Sequence, residues 1–279
     1  MQGYFSYKNL SVSYTKQGSG KAVVLVHGFG EDGSVWDYQT TFLKDFCTVI
    51  VIDLPGSGRS KVDSWELIDD SSKWTTDNLS TIEFYADCIH DLLQYLTINI
   101  CTMFGHSMGG YITLAFAEKY PGILNGFGLV HSTAFADSEE KKINRQRGIE
   151  LMRQYGSFSF LKTTVPNLFS APYKNNNSAK IAGLIEAGKG FEVAALQNYY
   201  RAMMNRMDKT AVLKGSNVPV LFIIGSQDIA VPINDSLQQS HMPICSYIHI
   251  LESVGHMGMW EEPDKVNQFL LSFLNNNNQ

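Results

Sequence analysis

Two glycines, at positions 105 and 109, flank Ser107, and this arrangement constrains the fold more than any other feature of the sequence. The largely apolar residues 100–104 predict a buried strand, and residues 108–120 predict a helix directly after it. A sharp turn from strand to helix forces the corner residue towards positive φ and leaves room only for very small neighbours. The pattern therefore predicts a strained turn that presents the Ser107 hydroxyl at a helix N-terminus, where developing negative charge is favoured.

Composition narrows the class of protein. A length of 279 residues suits one large α/β domain, with or without an insertion, and 44% hydrophobic and 18% charged residues are typical of a folded chain. The net charge of −5 offers no basic surface to nucleic acid, and no secretory signal or membrane-spanning run is found. The four cysteines lack C-x-x-C spacing. We expect a cytoplasmic, metal-free protein without a nucleic-acid or membrane partner, and composition leaves the oligomeric state open.

Short β-branched runs alternate with helical patterns along most of the chain. This alternation predicts an α/β fold with a mostly parallel central sheet flanked by helices. Strands are predicted at residues 12–14, 22–27, 48–53, 100–105, 126–131, 218–225 and 246–251. Helices are predicted at residues 34–43, 81–96, 108–120, 233–240 and 263–274. An alternating segment precedes the first strand, and Lys8-Asn9 is expected to join the two in an antiparallel hairpin at one edge of the sheet.

The alternation of strands and helices stops between residues 133 and 208. Helix-like segments there carry many aromatic residues and methionines, and no strand pattern appears. We predict a helical cap insertion over the end of the sheet. The chain is thus divided into a first core part (1–132), the cap (133–208) and a second core part (209–279). Within the cap, the polar residues 174–178 are expected to form a loop, and residues 275–279 are expected to form a frayed tail.

A glycine pattern between Gly28 and Gly33 fits G-x-G-x-x-G, the fingerprint of dinucleotide-binding proteins. Asp53 lies 20 residues beyond Gly33, where a ribose-binding acid is expected. Glu31 and Asp32, however, place two negative charges where a pyrophosphate would have to bind. Because this reading also leaves the Ser107 turn unexplained, we do not favour a dinucleotide site.

A serine hydroxyl needs a base to remove its proton and an acid to orient that base. Asp228 follows the predicted strand 218–225, and His256 follows the predicted strand 246–251. Both therefore emerge at the same edge of a parallel sheet as Ser107, in the order serine, acid, histidine. We predict that Ser107 is the nucleophile, Asp228 the acid and His256 the base.

Further site residues follow from the same edge of the sheet. The glycine-rich turn after strand 22–27 is expected to aim the backbone N–H of Phe29 into the cleft, where it forms an oxyanion hole with the N–H of Met108. His106 is expected to support the turn around the serine. His131, which ends a strand near the predicted site, and Trp260 are candidate substrate contacts.

Together these motifs resemble the α/β-hydrolase family. The resemblance rests on residues 27–30 (HGFG), 53–60 (DLPGSGRS) and 105–110 (GHSMGG), together with Asp228 and the pair Gly255-His256. It implies the family's fold with a variable cap, no cofactor, and a structural place for Asp53 and its loop. A serine at position 107 argues against the haloalkane dehalogenase and epoxide hydrolase branches, which use aspartate there.

The resemblance implies a serine hydrolase that acts through an acyl-enzyme, with a small to medium carboxylic ester or related acyl compound as substrate. Lactonase or carbon–carbon bond hydrolase activity is the nearest alternative, and a ligand receptor with little turnover is the alternative of another class. The aromatic and methionine-rich cap favours an apolar substrate group. Five arginines in this region are candidates for carboxylate binding, although most are expected on solvated helix faces: Arg145, Arg147, Arg153, Arg201 and Arg206.

Overall fold

The fold is built on an eight-stranded sheet with the strand order β1-β2-β4-β3-β5-β6-β7-β8. It is seen in a computed structural model that describes residues 1–62 and 78–277. The strands are β1 Gln2–Tyr7, β2 Leu10–Gln17, β3 Ala22–Val26, β4 Thr48–Ile52, β5 Cys101–His106, β6 Leu124–Val130, β7 Val220–Gly225 and β8 Ser246–Leu251. Strands β3 to β8 run parallel to one another, which confirms the predicted mostly parallel α/β sheet.

The antiparallel edge of the sheet is the hairpin predicted around Lys8-Asn9. Strand β1 pairs antiparallel with β2, which in turn pairs antiparallel with β4. Lys8 and Asn9 both have positive φ, 49° and 67°, as a tight two-residue turn between strands of right-handed twist requires. The hairpin is therefore confirmed, with β2 longer than the predicted residues 12–14.

Helices cover both faces of the sheet. Their bounds are α1 Asp37–Leu43, α2 Ile82–Tyr95, α3 Met108–Lys119, α4 Glu139–Tyr155, α5 Ser157–Thr164, α6 Ala171–Asn176, α7 Ser178–Ala187, α8 Val193–Asn205, α9 Thr210–Lys214, α10 Ile233–Ser240, α11 Gly258–Glu261 and α12 Pro263–Asn276. The ring of Phe104 in β5 packs on Phe273 in α12. The next residue, Gly105, lies against Gly109 in α3. Because successive strand residues point to opposite faces, α12 and α3 lie on opposite sides of the sheet.

Between β6 and β7 the described chain is helical, and we refer to α4 to α8, residues 139–205, as the cap helices. The division of the chain into 1–132, 133–208 and 209–279 remains a prediction. The predicted loop at residues 174–178 is wrong: Lys174 to Asn176 complete α6, and Ser178 already begins α7. The Ser170 hydroxyl accepts the N–H of Tyr173 and caps α6, which allows a polar asparagine run to remain helical. The predicted tail at 275–279 is helical as far as Asn276, and its last two residues lie outside the described part.

The cap helices are anchored to the core through Tyr199 in α8. Its hydroxyl lies 2.7 Å from Ser57 Oγ and donates to the Pro55 carbonyl at 2.9 Å. Tyr199 is fully buried, and burial raises its pKa far above that of a free phenol, so the hydroxyl keeps its proton. This contact fixes α8 on the loop that follows β4. Among the described helices, none is long and apolar enough to cross a membrane.

Candidate active site

Ser107 occupies the sharp turn between β5 and α3. Its backbone has φ 51° and ψ −116°, a strained conformation for a residue with a side chain. A Cβ on Gly105 would lie 2.1 Å from the Gly109 carbonyl oxygen, and a Cβ on Gly109 would lie 2.2 Å from the Val26 carbonyl oxygen. Both glycines are therefore required by close backbone packing, as the sequence predicts.

Asp228 and His256 are joined at the ends of β7 and β8. Nδ1 of His256 lies 2.8 Å from Oδ2 of Asp228, while Oδ1 of Asp228 accepts the N–H groups of Ala230 and Val231, each at 2.9 Å. Burial by itself would raise the pKa of the Asp228 carboxyl, but the rings of His256 and His131 hold it well below its usual range. Asp228 is thus a fixed carboxylate that orients the imidazole of His256 through Nδ1.

His131 contacts the same carboxylate instead of reaching the substrate side. It is buried at the end of β6 with φ 49°, and its Nδ1 lies 3.3 Å from Oδ2 of Asp228. Its Nε2 accepts the N–H of Gly258 at 3.2 Å, which assigns the ring proton to Nδ1, and Nδ1 makes no hydrogen bond within the described part of the chain. Burial lowers the pKa of His131 to about 4. His131 is therefore a neutral second neighbour of Asp228.

A metal ion would find possible ligand atoms in this group. One ligand atom each from His131, Asp228 and His256 lie within 4.8 Å of one another. The hydrogen bond from Gly258 to Nε2 of His131, however, leaves Nδ1 of that ring protonated, and a protonated nitrogen has no lone pair for a metal. The donor set is better matched to a hydrogen-bonded acid and base than to an ion.

A second buried pair lies below the serine. Nδ1 of His106 lies 2.9 Å from Oε2 of Glu31, and Nε2 of His106 lies 3.0 Å from the His256 carbonyl oxygen. The same carboxylate oxygen accepts the N–H of Gly28 at 2.7 Å. Both His106 nitrogens thus face acceptors, and only the imidazolium form has an N–H donor for each of them. The pair links the glycine turn after β3 to the loop that carries His256.

This pair carries the charges expected of a buried salt bridge. Burial by itself would raise the pKa of Glu31, yet His106 and the N–H of Gly28 hold it below its usual value. Burial would lower the pKa of His106, yet the Glu31 carboxylate raises it above its usual value. The sequence analysis expects a supporting place for His106 but assigns no partner to it, because Glu31 lies 75 residues away.

We expect Glu31→Gln to lower the free energy of unfolding by about 2 kcal/mol near pH 6, because the variant loses a charge-assisted hydrogen bond. The lowered pKa of Glu31 stabilises the fold above its unfolded value of about 4.3, and this contribution is lost as the pH falls. The raised pKa of His106 stabilises the fold below its unfolded value of about 6.5, and this contribution is lost as the pH rises. The deficit of the variant is therefore largest between these values and shrinks at alkaline pH.

Urea unfolding of both proteins across this pH range measures the effect. The other titratable groups are the same in both proteins, so the difference between the two curves isolates the pair. A deficit that does not change with pH would mean that Glu31 and His106 are not a charged pair.

The turn after β3 supplies an unpaired amide at the site. Within the described part of the chain, the backbone N–H groups of Phe29 and Met108 donate to no protein acceptor. Met108 is the first residue of α3, where such N–H groups lack helical partners.

The glycine turn after β3 does not suit a dinucleotide. The Glu31 carboxylate already binds the N–H of Gly28, so a pyrophosphate at this turn would meet a buried negative charge. Asp53 accepts the N–H of Gly33 at 2.9 Å, which gives this acid a structural place.

Ser107 and His256 line one cavity of about 150 Å³ between the sheet edge and the cap helices. The core contributes Phe29, Glu31, Ser107, Tyr111, Ala230, Val231 and His256, and the cap helices with their connections contribute Arg145, Leu161, Thr164, Val165, Leu168, Tyr200 and Met203. Neither candidate substrate contact is among these residues. His131 lies behind Asp228, and the indole N–H of Trp260 donates to the Val35 carbonyl at 3.1 Å. The cavity is mostly apolar, and its described lining includes one arginine or lysine side chain.

That cation is Arg145. Its Nε donates to Oδ2 of Asp137 at 2.6 Å, and Nη1 of Arg206 lies 2.9 Å from Oδ1 of the same carboxylate. Arg147, Arg153 and Arg201 are exposed, as expected for most of the five arginines. Composition does not distinguish Arg145 from these three, because only the packing of α4 decides which arginine turns inward.

Comparisons with known proteins identify the family and the fold. Residues 23–269 match the sequence model described as the alpha/beta hydrolase family. A thermophilic esterase from Thermogutta terrifontis, solved with malate bound, has a TM-score of 0.88 and 27% identity over 100% of both chains. The enol-lactonase from Burkholderia xenovorans LB400 has a TM-score of 0.85 and 20% identity, and the match covers 98% of this chain and 100% of the lactonase.

A plant protein is also similar. The karrikin insensitive 2 receptor CA of Petunia hybrida is 25% identical over 273 residues, which cover 91% of this chain and 92% of the receptor. The family match spans most of the chain, and the sheet order and flanking helices agree with it. The chain therefore belongs to the alpha/beta hydrolase family.

Proposed function

We propose that this protein is a serine hydrolase that cleaves small to medium carboxylic esters through Ser107, His256 and Asp228. The observation that carries the proposal is the 2.8 Å contact between Nδ1 of His256 and Oδ2 of Asp228, beside a strained Ser107 in the same cavity as His256. Membership of a hydrolase family and the likeness to an esterase support it.

The reaction proceeds in two steps. Nε2 of His256 takes the Ser107 proton as Oγ attacks the ester carbonyl, and Asp228 stabilises the imidazolium that forms. The amides of Phe29 and Met108 stabilise the negative charge on the carbonyl oxygen. The histidine then protonates the leaving alcohol, and an acyl group remains on Ser107. A water molecule, deprotonated by His256, releases the acid and restores the hydroxyl.

A series of p-nitrophenyl esters of increasing acyl length tests the proposal. We expect sustained turnover with the short and medium chains, and a fall with long chains, because the cavity holds only about 150 Å³. We also expect one molecule of a fluorophosphonate to react with each enzyme molecule and to stop turnover. The added mass should lie on the peptide that contains Ser107. Turnover without labelling of Ser107 would rule out this nucleophile.

Lactones are cyclic esters, so the same groups support a lactonase, and a carbon–carbon bond hydrolase also stays an alternative. A lactone included in the series distinguishes ring opening from cleavage of open esters. The likeness to the Petunia receptor favours one candidate of another class, a ligand receptor on the same fold. A receptor would release product only once per molecule and would then change its affinity for a partner protein. Sustained turnover separates the enzyme from it.

A further inference from the structure

Among the described residues, Asp137 is the one carboxylate paired with Arg145 and Arg206, so these arginines at the cap carry an uncompensated positive charge. Arg145 and Arg206 share the single carboxylate of Asp137, whose side chain is fully buried. Burial would raise the pKa of Asp137, but the two guanidinium groups hold it below its usual value, so the acid is ionised. The group of three therefore keeps one net positive charge in a site of low exposure, where unpaired charge is costly.

Arg145 places this net positive charge at the Ser107 cavity. Arg145 lines the cavity, whereas Arg206 does not; the latter donates to the Met203 and Phe135 carbonyls and lies 3.9 Å from the ring centroid of Tyr111. Arg145 uses Nε and Nη2 for Asp137, and within the described chain Nη1 has no acceptor. Arg145 is thus the group with a donor still available to a ligand.

Aromatic packing fixes the position of this guanidinium relative to the reacting atoms. The Cζ atom of Arg145 lies 5.2 Å from the ring centroid of Tyr200. Tyr200 in turn stacks on Phe29, with ring centroids 4.3 Å apart and an interplanar angle of 20°. One aromatic ring therefore separates Arg145 from Phe29, whose amide is part of the oxyanion hole in the proposed reaction. A guanidinium that lies over an aromatic ring and has one side held by Asp137 is preorganised for a planar anion.

We propose that Arg145 binds a carboxylate of the substrate, so that the preferred substrates are esters of the small to medium class that carry a second, anionic carboxyl group. This inference rests on the proposed esterase function. The carboxylate belongs either to the acyl chain or to the alcohol, since both halves of an ester extend from Ser107 into the same cavity. In either case the substrate carboxylate neutralises the net positive charge of Arg145, Arg206 and Asp137.

Two matched pairs of esters test the proposal and distinguish the two halves. The first pair is the mono-p-nitrophenyl ester of adipic acid and the same ester with an isopropyl group in place of the free carboxylate. The second pair places the carboxylate or the isopropyl group on a benzyl alcohol esterified with butyric acid. For each pair the measured quantity is the ratio of kcat/KM for the anionic ester to that for the neutral ester. Both esters of a pair are measured with the same protein, so any unfolded fraction of that protein lowers both values equally and does not change the ratio.

We expect Arg145→Gln to lower the ratio in one of the two pairs by about tenfold or more, as for loss of a charged hydrogen bond. Arg206 continues to pair with Asp137 in this variant, so the buried acid keeps a partner. The matched control is Arg153→Gln, which removes the same charge from an exposed position on α4 and should leave both ratios unchanged. Ratios that Arg145→Gln leaves at the wild-type value in both pairs would overturn the proposal.

A binding measurement keeps this test independent of turnover. Calorimetry with adipate and the Ser107→Ala variant measures the affinity for a compound with two carboxylates, and addition of Arg145→Gln is expected to weaken it about tenfold or more. Equal affinity with and without Arg145 would overturn the carboxylate site. If wild-type protein cleaves no ester of either pair, the proposed esterase function fails, and this binding comparison still decides the role of Arg145.

Discussion

Replacing Ser107 by alanine is expected to lower kcat for p-nitrophenyl butyrate by about 10⁴- to 10⁶-fold, with little change in KM. The variant loses the atom that forms the acyl-enzyme, while the amides of Phe29 and Met108 and the cavity itself remain. These still stabilise attack by water, so a residual rate above the uncatalysed one, by about 10³-fold, is expected. Steady-state kinetics of both proteins, each checked for the same melting temperature, provides the measurement.

A matched serine in the neighbouring loop serves as control. The Ser226 hydroxyl accepts the N–H of Ser253 at 2.8 Å and lies in the loop that carries Asp228. Ser226→Ala removes a hydroxyl from the same edge of the sheet and should leave kcat near the wild-type value. Equal turnover by Ser107→Ala and wild type would show that another residue is the nucleophile, whatever the control does.

The second large effect is expected on the fold itself. Gly109→Ala should lower the free energy of unfolding by about 3 kcal/mol or more, because overpacking against backbone cannot be relieved by rotation of a side chain. The added methyl group would lie 2.2 Å from the Val26 carbonyl oxygen and 2.7 Å from the His27 carbonyl oxygen. These atoms lead into the turn that carries Phe29, so the remaining folded protein should also have a much lower kcat. Chemical unfolding and kinetics measure the two effects.

Gly183 offers a control with the same chemical change. It lies inside α7, and a Cβ at this position would have no neighbour within 4 Å. Gly183→Ala should therefore raise the free energy of unfolding by up to about 1 kcal/mol, since alanine restricts the unfolded chain and favours helix. If the two variants had the same stability, the close approach of α3 to the end of β3 would not be a constraint on the fold.

The sequence by itself predicts features that depend on local pattern. Glycines on both sides of Ser107 predict the strained turn, and the positive φ of Ser107 agrees with this. Strand periodicity predicts that Asp228 and His256 leave the sheet at one edge, and their contact follows from the rule that parallel strands end together. The loop predicted at residues 174–178 fails for a local reason, since a serine cap compensates for the low helix propensity of asparagine.

Tertiary structure decides which distant side chains meet. Glu31 and His106 form a pair across 75 residues, and the second histidine on Asp228, His131, comes from 97 positions earlier in the chain. The choice of Arg145 among five arginines depends on the packing of α4 on α8, which no spacing in the sequence encodes. Periodicity specifies which face of an element is buried, whereas the partner on that face is set by the close packing of the whole interior.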